Sequence, residues 1–261
     1  MNPVLQVALD LVNGSRALQI AKESVEGGVD WIEAGTPLIK SEGMDILRLL
    51  SKEFPKKTII ADLKTMDTGA LETEIASKAG ADVICIMAAA ADSTIEEAVS
   101  AAQKYGTKIM VDLLGVNNPV ERGKKISGLD VDYLCVHVGI DQQMTGQKPE
   151  QIVTELAKHT SIPIAAAGGI NCETVVDVIN AGASIVIVGG AITKAEDVTR
   201  ATKIIKQAML DKKRIKSTLF KKYDQTEIKT AFEQVSTPNI SDAMHRKGAM
   251  NGIKPIQDSV H

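Results

Sequence analysis

Residues 58–87 read TIIADLKTMDTGALETEIASKAGADVICIM, and they hold the organising pattern of the whole chain. A short apolar run, Thr58 to Leu63, gives way to a longer segment compatible with a helix. That segment stops at Gly80-Ala81-Asp82, just before a second apolar run, Val83 to Met87. Glycine at the end of a helix supplies the left-handed residue that a C-cap needs. Strand, helix and strand in this order form a βα unit, because parallel neighbours require a crossover connection.

Outward from this stretch, the same unit recurs eight times between Pro3 and Leu210. The other strand candidates are Val4 to Leu9, Trp31 to Ala34, Lys108 to Leu113, Tyr133 to Val138, Ile162 to Ala166 and Ile185 to Val188. Each is close to continuously apolar, as a strand covered on both faces should be. Helical spacing of apolar residues appears in Ala17, Ile20, Ala21, Ser24, Val25 and again in Thr94, Ile95, Ala98, Val99, Ala102. Gly27-Gly28-Val29-Asp30 and Gly182-Ala183-Ser184 repeat the glycine stop. Eight evenly spaced units predict an α/β fold, a closed (β/α)8 TIM barrel over residues 1–210. An open doubly wound sheet competes with this reading but has no need of eight even units.

After Leu210 the texture changes. Residues 211–224 are rich in Asp, Lys and Arg and continue no strand pattern, so they read as a charged linker. Residues 225–261 hold a helix candidate from Ile228 to Val235 and a helix start at Ser236-Thr237-Pro238. They are too few to bury a core of their own and read as a C-terminal extension, the truncated start of a second domain.

Of the 261 residues, 44% are hydrophobic and 24% charged, within the range of a globular protein with a sizeable core. The formal net charge of -3 argues against a general affinity for nucleic acid or anionic membrane. No apolar run reaches the ~20 residues of a membrane span, and the start MNPVLQVALD lacks a secretory n-region, so a cytoplasmic protein is expected. Cys85, Cys135 and Cys172 have no metal-ligand spacing and read as reduced, packed thiols.

In a (β/α)8 barrel reactive side chains project from the C-terminal ends of the strands. Those ends are acidic here: Asp10 closes strand one, Glu33 lies on strand two, Asp62 and Lys64 on strand three with Asp67 in the loop beyond, and Asp112 on strand five. Strand six carries His137. Charges are costly in a parallel strand unless paired or bound, so one shared rim points to a polar site. Period-two alternation puts Asp62 and Lys64 on one side of their strand, with Asp67 expected to converge on them. A structural ion pair at a strand end is the alternative for this segment, and a packed core residue is the alternative for His137. Glu33 and Asp62, on adjacent strands, suit a hard divalent cation, Mg2+ or Mn2+. Such an ion and Lys64 would together stabilise the charge formed when a ketose is deprotonated, with His137 as the proton carrier. Gly168 and Gly169 after strand seven, and Gly189 and Gly190 after strand eight, sit where this fold commonly binds phosphate. Tight turns are the other use for paired glycines. Cys172 lies near the helix start beyond Gly169, a place where a thiol pKa can fall.

Taken together, Val7-Ala8-Leu9-Asp10, Glu33-Ala34-Gly35-Thr36, Ala61 to Asp67, Val136-His137-Val138-Gly139-Ile140-Asp141-Gln142-Gln143 and the two glycine loops resemble the orotidine 5'-monophosphate decarboxylase superfamily, and within it the 3-hexulose-6-phosphate synthases. The resemblance implies a metal-dependent, reversible condensation of formaldehyde with D-ribulose 5-phosphate. It implies Glu33 and Asp62 as metal ligands, Asp10 as a substrate contact, Lys64 and Asp67 as enediolate stabilisers, and His137 as acid and base. It also implies a homodimer in which the loop bearing Asp67 reaches the neighbouring site. The related 3-keto-L-gulonate 6-phosphate decarboxylases carry arginine where this chain has Ile140 and Gly190, and both differences favour the synthase. The orotidine decarboxylases need no metal, which would leave Glu33 and His137 without a task. A Schiff base on Lys64 is a further alternative, as is a regulatory protein acting through its tail. Residues 232–244 resemble the start of a ribonuclease-activity regulator A-like domain.

Overall fold

The structure, a computed structural model, describes residues 3–139 and 149–217. In chain order its elements are β1 (Val4–Leu9), α1 (Gly14–Gly27), β2 (Trp31–Ala34), α2 (Thr36–Glu42), α3 (Asp45–Glu53), β3 (Thr58–Thr65), α4 (Gly69–Lys78), β4 (Val83–Met87), α5 (Asp92–Tyr105), β5 (Lys108–Asp112), α6 (Pro119–Ile126) and β6 (Tyr133–His137). Beyond residue 148 follow α7 (Pro149–Leu156), β7 (Ile164–Ala167), α8 (Val175–Asn180), β8 (Ile185–Val188), α9 (Gly190–Thr193) and α10 (Val198–Asp211). The eight strands are all parallel and β1 pairs with both β2 and β8, so the sheet closes into the expected TIM barrel. The last barrel helix runs to Asp211, one residue into the expected linker. Ile140 to Gln143, the linker from residue 218 and the tail lie outside the described residues. No described helix is long and apolar enough to cross a membrane.

Alternation along each strand divides the core in two. On β1, Leu5, Val7 and Leu9 point outward into the layer shared with the helices, where Ala17, Ile20 and Ile95 also pack. Ala8 points inward with Ile60, Val83, Cys85, Met110 and Ile187 to fill the barrel. At the N-terminal end Trp31 meets Tyr133 edge-on, 5.5 Å between ring centroids, and closes the floor. The interior is therefore apolar below, and its charged residues gather at the opposite rim.

The recurrent glycine stops have the conformation their residue type allows: Gly28, Gly80 and Gly182 all have positive φ. The aspartates that follow two of them form a clamp. Asp30 and Asp82 each accept a hydrogen bond at Oδ2 from the preceding strand, from Leu5 N at 2.8 Å and Ile59 N at 2.7 Å, and Asp132 treats Ile109 N in the same way at 2.9 Å. The backbone N–H groups of the same aspartates donate back to Leu5, Ile59 and Ile109. Strands β2, β4 and β6 are thus each tied to the strand before them at the barrel floor.

The ends of β3, β5, β6 and β7 differ from expectation. β7 starts at Ile164 rather than Ile162, because Pro163 has no N–H to give the ladder and serves only as an acceptor for Leu134 N. β5 and β6 stop at Asp112 and His137, one residue early, where the chain turns into the rim loops. β3 runs on to Thr65 through an irregularity: its register with β4 passes from Ala61–Ile84 to Thr65–Ile86, four residues against two.

Candidate active site

The irregularity in β3 places the most informative side chain. Lys64 has φ +53°, a left-handed conformation for a non-glycine residue. Its ammonium nevertheless reaches Asp62, 3.0 Å from Oδ2, so the two side chains share the barrel mouth as expected, by a bulge and not by plain alternation. Lys64 Nζ also lies 3.1 Å from Asp112 Oδ2. The same oxygen is 2.9 Å from His137 Nδ1, and Asp112 Oδ1 accepts from Leu114 N at 2.9 Å. Both Asp112 oxygens are therefore engaged, which makes it a holder of Lys64 and His137.

Asp67 does not converge on this group. It is exposed, and its Oδ1 accepts from Thr68 N at 2.8 Å. The second carboxylate beside Lys64 is Asp112, brought from β5 by the closure of the barrel. Spacing along one strand cannot show a partner that lies 48 residues away.

Asp10, Glu33 and Asp62 make up the acidic side of the rim. Burial, then repulsion from Asp62 and Asp10, pushes the Glu33 carboxyl well above the ordinary glutamate range. Burial and the Asp62 charge likewise raise Asp10, against the pull of Lys64, His137 and Lys194. Burial disfavours the Lys64 ammonium, but Asp62 and Asp112 more than offset it and raise its pKa, so Lys64 is charged. Burial acts to raise Asp112 too, and His137, Lys64 and the Leu114 N–H together bring it below the usual carboxylate value.

Residues 3–205 match the family described as orotidine 5'-phosphate decarboxylase / HUMPS. The chain belongs to this family. It is 41% identical over 207 residues to the 3-hexulose-6-phosphate synthase of Bacillus subtilis (strain 168), covering 79% of this chain and 98% of that one. The crystal structure of 3-hexulose-6-phosphate synthase from Salmonella typhimurium superposes with a TM-score of 0.77 at 34% identity, over 81% of this chain and 100% of the other. That of 3-keto-L-gulonate-6-phosphate decarboxylase from Vibrio cholerae reaches 0.71 at 26% identity, over 81% and 99%.

Within this family member, several polar contacts at the rim escape a reading by residue type. Thr36 Oγ1 donates to the Asp62 carboxylate, 2.9 Å from Oδ2, and lies 2.7 Å from the Asp62 carbonyl oxygen. Gln6, inside β1, donates to Glu33. Arg122 on α6 donates from Nε to Ala88 O at 2.7 Å and from a terminal nitrogen to Ala90 O at 2.9 Å, which braces the β4 loop; Ala88 N in turn donates to Asp112 O. The inward phase of Gln6, shared with Ala8 and Asp10, is a signal that alternation alone could have supplied.

The glycines divide by cause. A Cβ on Gly168 would come within 2.3 Å of the Val138 carbonyl oxygen, and its φ of +113° also demands glycine, so packing accounts for this residue. Gly169 also has positive φ, Gly189 caps α9 and Gly190 begins it. Cys85, Cys135 and Cys172 are free and buried; burial raises the Cys172 pKa, against the fall that its position suggested. Gly35 has an ordinary φ of -65°, yet a Cβ there would lie 2.2 Å from Asp10 Oδ1. Gly35→Ala should therefore displace Asp10 and press on the Leu9 carbonyl oxygen, 2.9 Å from the added Cβ, while its own φ stays ordinary. A reacting geometry disturbed by about 1 Å can lose on the order of 10²-fold in rate, so we expect kcat/KM to fall by about that factor. Steady-state kinetics with a melting curve alongside checks this; unchanged kinetics would remove Asp10 from the site.

Proposed function

We propose that this chain catalyses the 3-hexulose-6-phosphate synthase reaction, the reversible aldol condensation of formaldehyde with D-ribulose 5-phosphate to D-arabino-3-hexulose 6-phosphate. The observation that carries the reading is the network Asp62, Lys64, Asp112, His137, a fixed ammonium and an oriented imidazole at one barrel mouth. Asp112 engages His137 Nδ1, so proton exchange with substrate falls to Nε2. His137 takes a proton from C1 of the ketose, the resulting enediolate carbon attacks formaldehyde, and the new alkoxide oxygen recovers the proton. Lys64 stabilises the oxyanion in the enediolate. Because two carboxylates keep it protonated, Lys64 is a poor nucleophile, which speaks against a Schiff base.

Glu33 and Asp62 would hold Mg2+ or Mn2+. Among the described residues no group of three or more His, Cys, Asp or Glu side chains is arranged as a metal site. The fit rests instead on two carboxylate ligands in a rim where acidic groups repel one another, with water and substrate oxygens completing the shell. When bound, the ion supplies Lewis-acid stabilisation of negative charge on substrate oxygen. Gly169 and the start of α9 at Gly189 and Gly190 offer backbone N–H groups to the substrate phosphate.

A decarboxylase reading keeps most of these residues, but the synthase relatives are the more similar, at 41% and 34% identity against 26%. With 3-keto-L-gulonate 6-phosphate we expect no carbon dioxide, and with ribulose 5-phosphate we expect consumption that depends on formaldehyde. Steady gas release at a comparable rate would reverse the assignment.

A homodimer accounts for Asp67. The carboxylate is exposed among uncovered apolar side chains, Met66 at 53% and Leu71 at 56% exposure, with Ile75 one turn further along α4. In such a dimer Asp67 completes the site of the second copy. Lys64→Ala and Asp67→Ala proteins, each inactive alone, should then regain about a quarter of wild-type activity when unfolded and refolded together, since half the dimers are mixed and each has one intact site. No recovery, with dimers present, would place Asp67 in its own subunit's site or outside the chemistry.

A further inference from the structure

Gln6 lies in the middle of β1 with its side chain wholly buried inside the barrel. It stands opposite Trp31 on β2, and Glu33 stands opposite Ala8, so the two inward-facing side chains meet on a diagonal between neighbouring strands. Gln6 Nε2 donates to Glu33 Oε2 at 2.5 Å. Gln6 Oε1 has no hydrogen-bond partner among the described residues. The surrounding interior is apolar, formed by Ala8, Ile60, Val83 and Ile187 among others. An amide that leaves its carbonyl unsatisfied in such a place weakens the core relative to an apolar side chain of similar size. Its use must therefore be local, and among the described residues the one side-chain hydrogen bond it makes is with Glu33.

We propose that Gln6 is a positioning residue for Glu33 as a metal ligand: its amide fixes one carboxylate oxygen and turns the other toward the cation. This rests on the metal reading given above. Outer hydrogen-bond partners of this kind set the orientation of a ligand and so its affinity for the ion. The donor must also be neutral. A lysine at position 6 would hold the same oxygen but cancel the negative charge that attracts the cation, and the rim already contains the Lys64 ammonium beside Asp62. An amide orients Glu33 and leaves its charge in place.

The test is Mn2+ binding to the full-length protein without substrate, followed by the loss of the free-ion paramagnetic resonance signal, for wild type, Gln6→Met and Gln6→Leu. Methionine keeps the length of the side chain and adapts to the cavity while removing the donor. We expect dissociation constants about 10–100-fold higher in both variants, with metal-free melting temperatures unchanged or raised because the unsatisfied carbonyl is gone. Unchanged Mn2+ affinity in Gln6→Met, with wild type binding the ion, overturns the role of Gln6 alone. Failure of both variants to fold overturns it too, since the amide would then serve the fold itself. Absence of Mn2+ binding by wild type contradicts the metal reading underneath and this inference with it.

Discussion

Replacing Lys64 by alanine is expected to lower kcat by about 10²–10³-fold, the usual effect of removing one preorganised group that meets developing negative charge. The case for so large a loss is that nothing else described can take its place. Lys64 Nζ sits within 3.1 Å of both Asp62 and Asp112, His137 is already held by Asp112, and Lys194, whose charge acts on Asp10, makes no ion pair with Asp62 or Asp112 among the described residues. Stability should fall less steeply. Asp62 keeps the Thr36 hydroxyl and Asp112 keeps His137 and Leu114 N, so each nearly buried carboxylate retains a donor and the cost should be about 1–3 kcal/mol. Lys64→Gly separates the two effects. Activity should be lost to the same degree, because the ammonium is gone in both. The backbone at φ +53° costs a non-glycine residue about 1–2 kcal/mol and glycine almost nothing, so the glycine variant should be the more stable. For a domain of this size that difference appears as roughly 2–4 °C in Tm per kcal/mol. Equal melting temperatures would argue against the bulge; activity within a few-fold of wild type in either variant would argue against the ammonium's role.

Asp112→Asn should be almost as damaging, with kcat lower by about 10²–10⁴-fold. Asp112 receives three donors on two oxygens: Leu114 N on one, Lys64 and His137 on the other. Asparagine has a single acceptor oxygen. Whichever way its amide turns, an NH2 group faces either Leu114 N–H or the Lys64 and His137 pair, and the negative charge that steadies a protonated imidazole is absent in both. The acid dependence of stability should change with it. The folded protein holds the Asp112 carboxyl below its ordinary value, so the unfolded chain takes up its proton first as pH falls. The resulting stabilisation is fully present above the unfolded value of about 3.9 and is lost as pH falls through the folded one. The gap in Tm between wild type and Asp112→Asn should accordingly be constant near neutrality and shrink on acidification. A gap that widens in acid would reverse the assigned direction.

Much of the barrel is legible in the sequence because a parallel strand covered on both faces leaves a continuous apolar run, and because Gly80 and Gly182 mark helix ends that only glycine forms readily. The rim acids are legible for the opposite reason, since a charge at the end of such a run is costly unless it is paired or bound. What stays hidden depends on partners far apart in the chain. Asp112 reads as one more acidic end, and only barrel closure shows that it holds Lys64 and His137. Asp67 follows Lys64 by three residues, yet the bulge and the turn carry it outward. Gly35 has no reading of its own in the sequence, and the close approach of Asp10 and the Leu9 carbonyl gives its cause. Gln6 is invisible to composition because a single amide among apolar residues alters no average.

The most direct measurement follows isotopically labelled formaldehyde by carbon resonance in a mixture of the purified full-length protein and ribulose 5-phosphate, with Mg2+, with excess chelator, and with Mg2+ restored. The account predicts that the label enters C1 of a hexulose 6-phosphate with Mg2+, stays in formaldehyde under chelation, and moves again when the ion returns. Label that remains in formaldehyde under all three conditions would contradict the proposed reaction, and label that moves at full rate in chelator would contradict the part given to the metal.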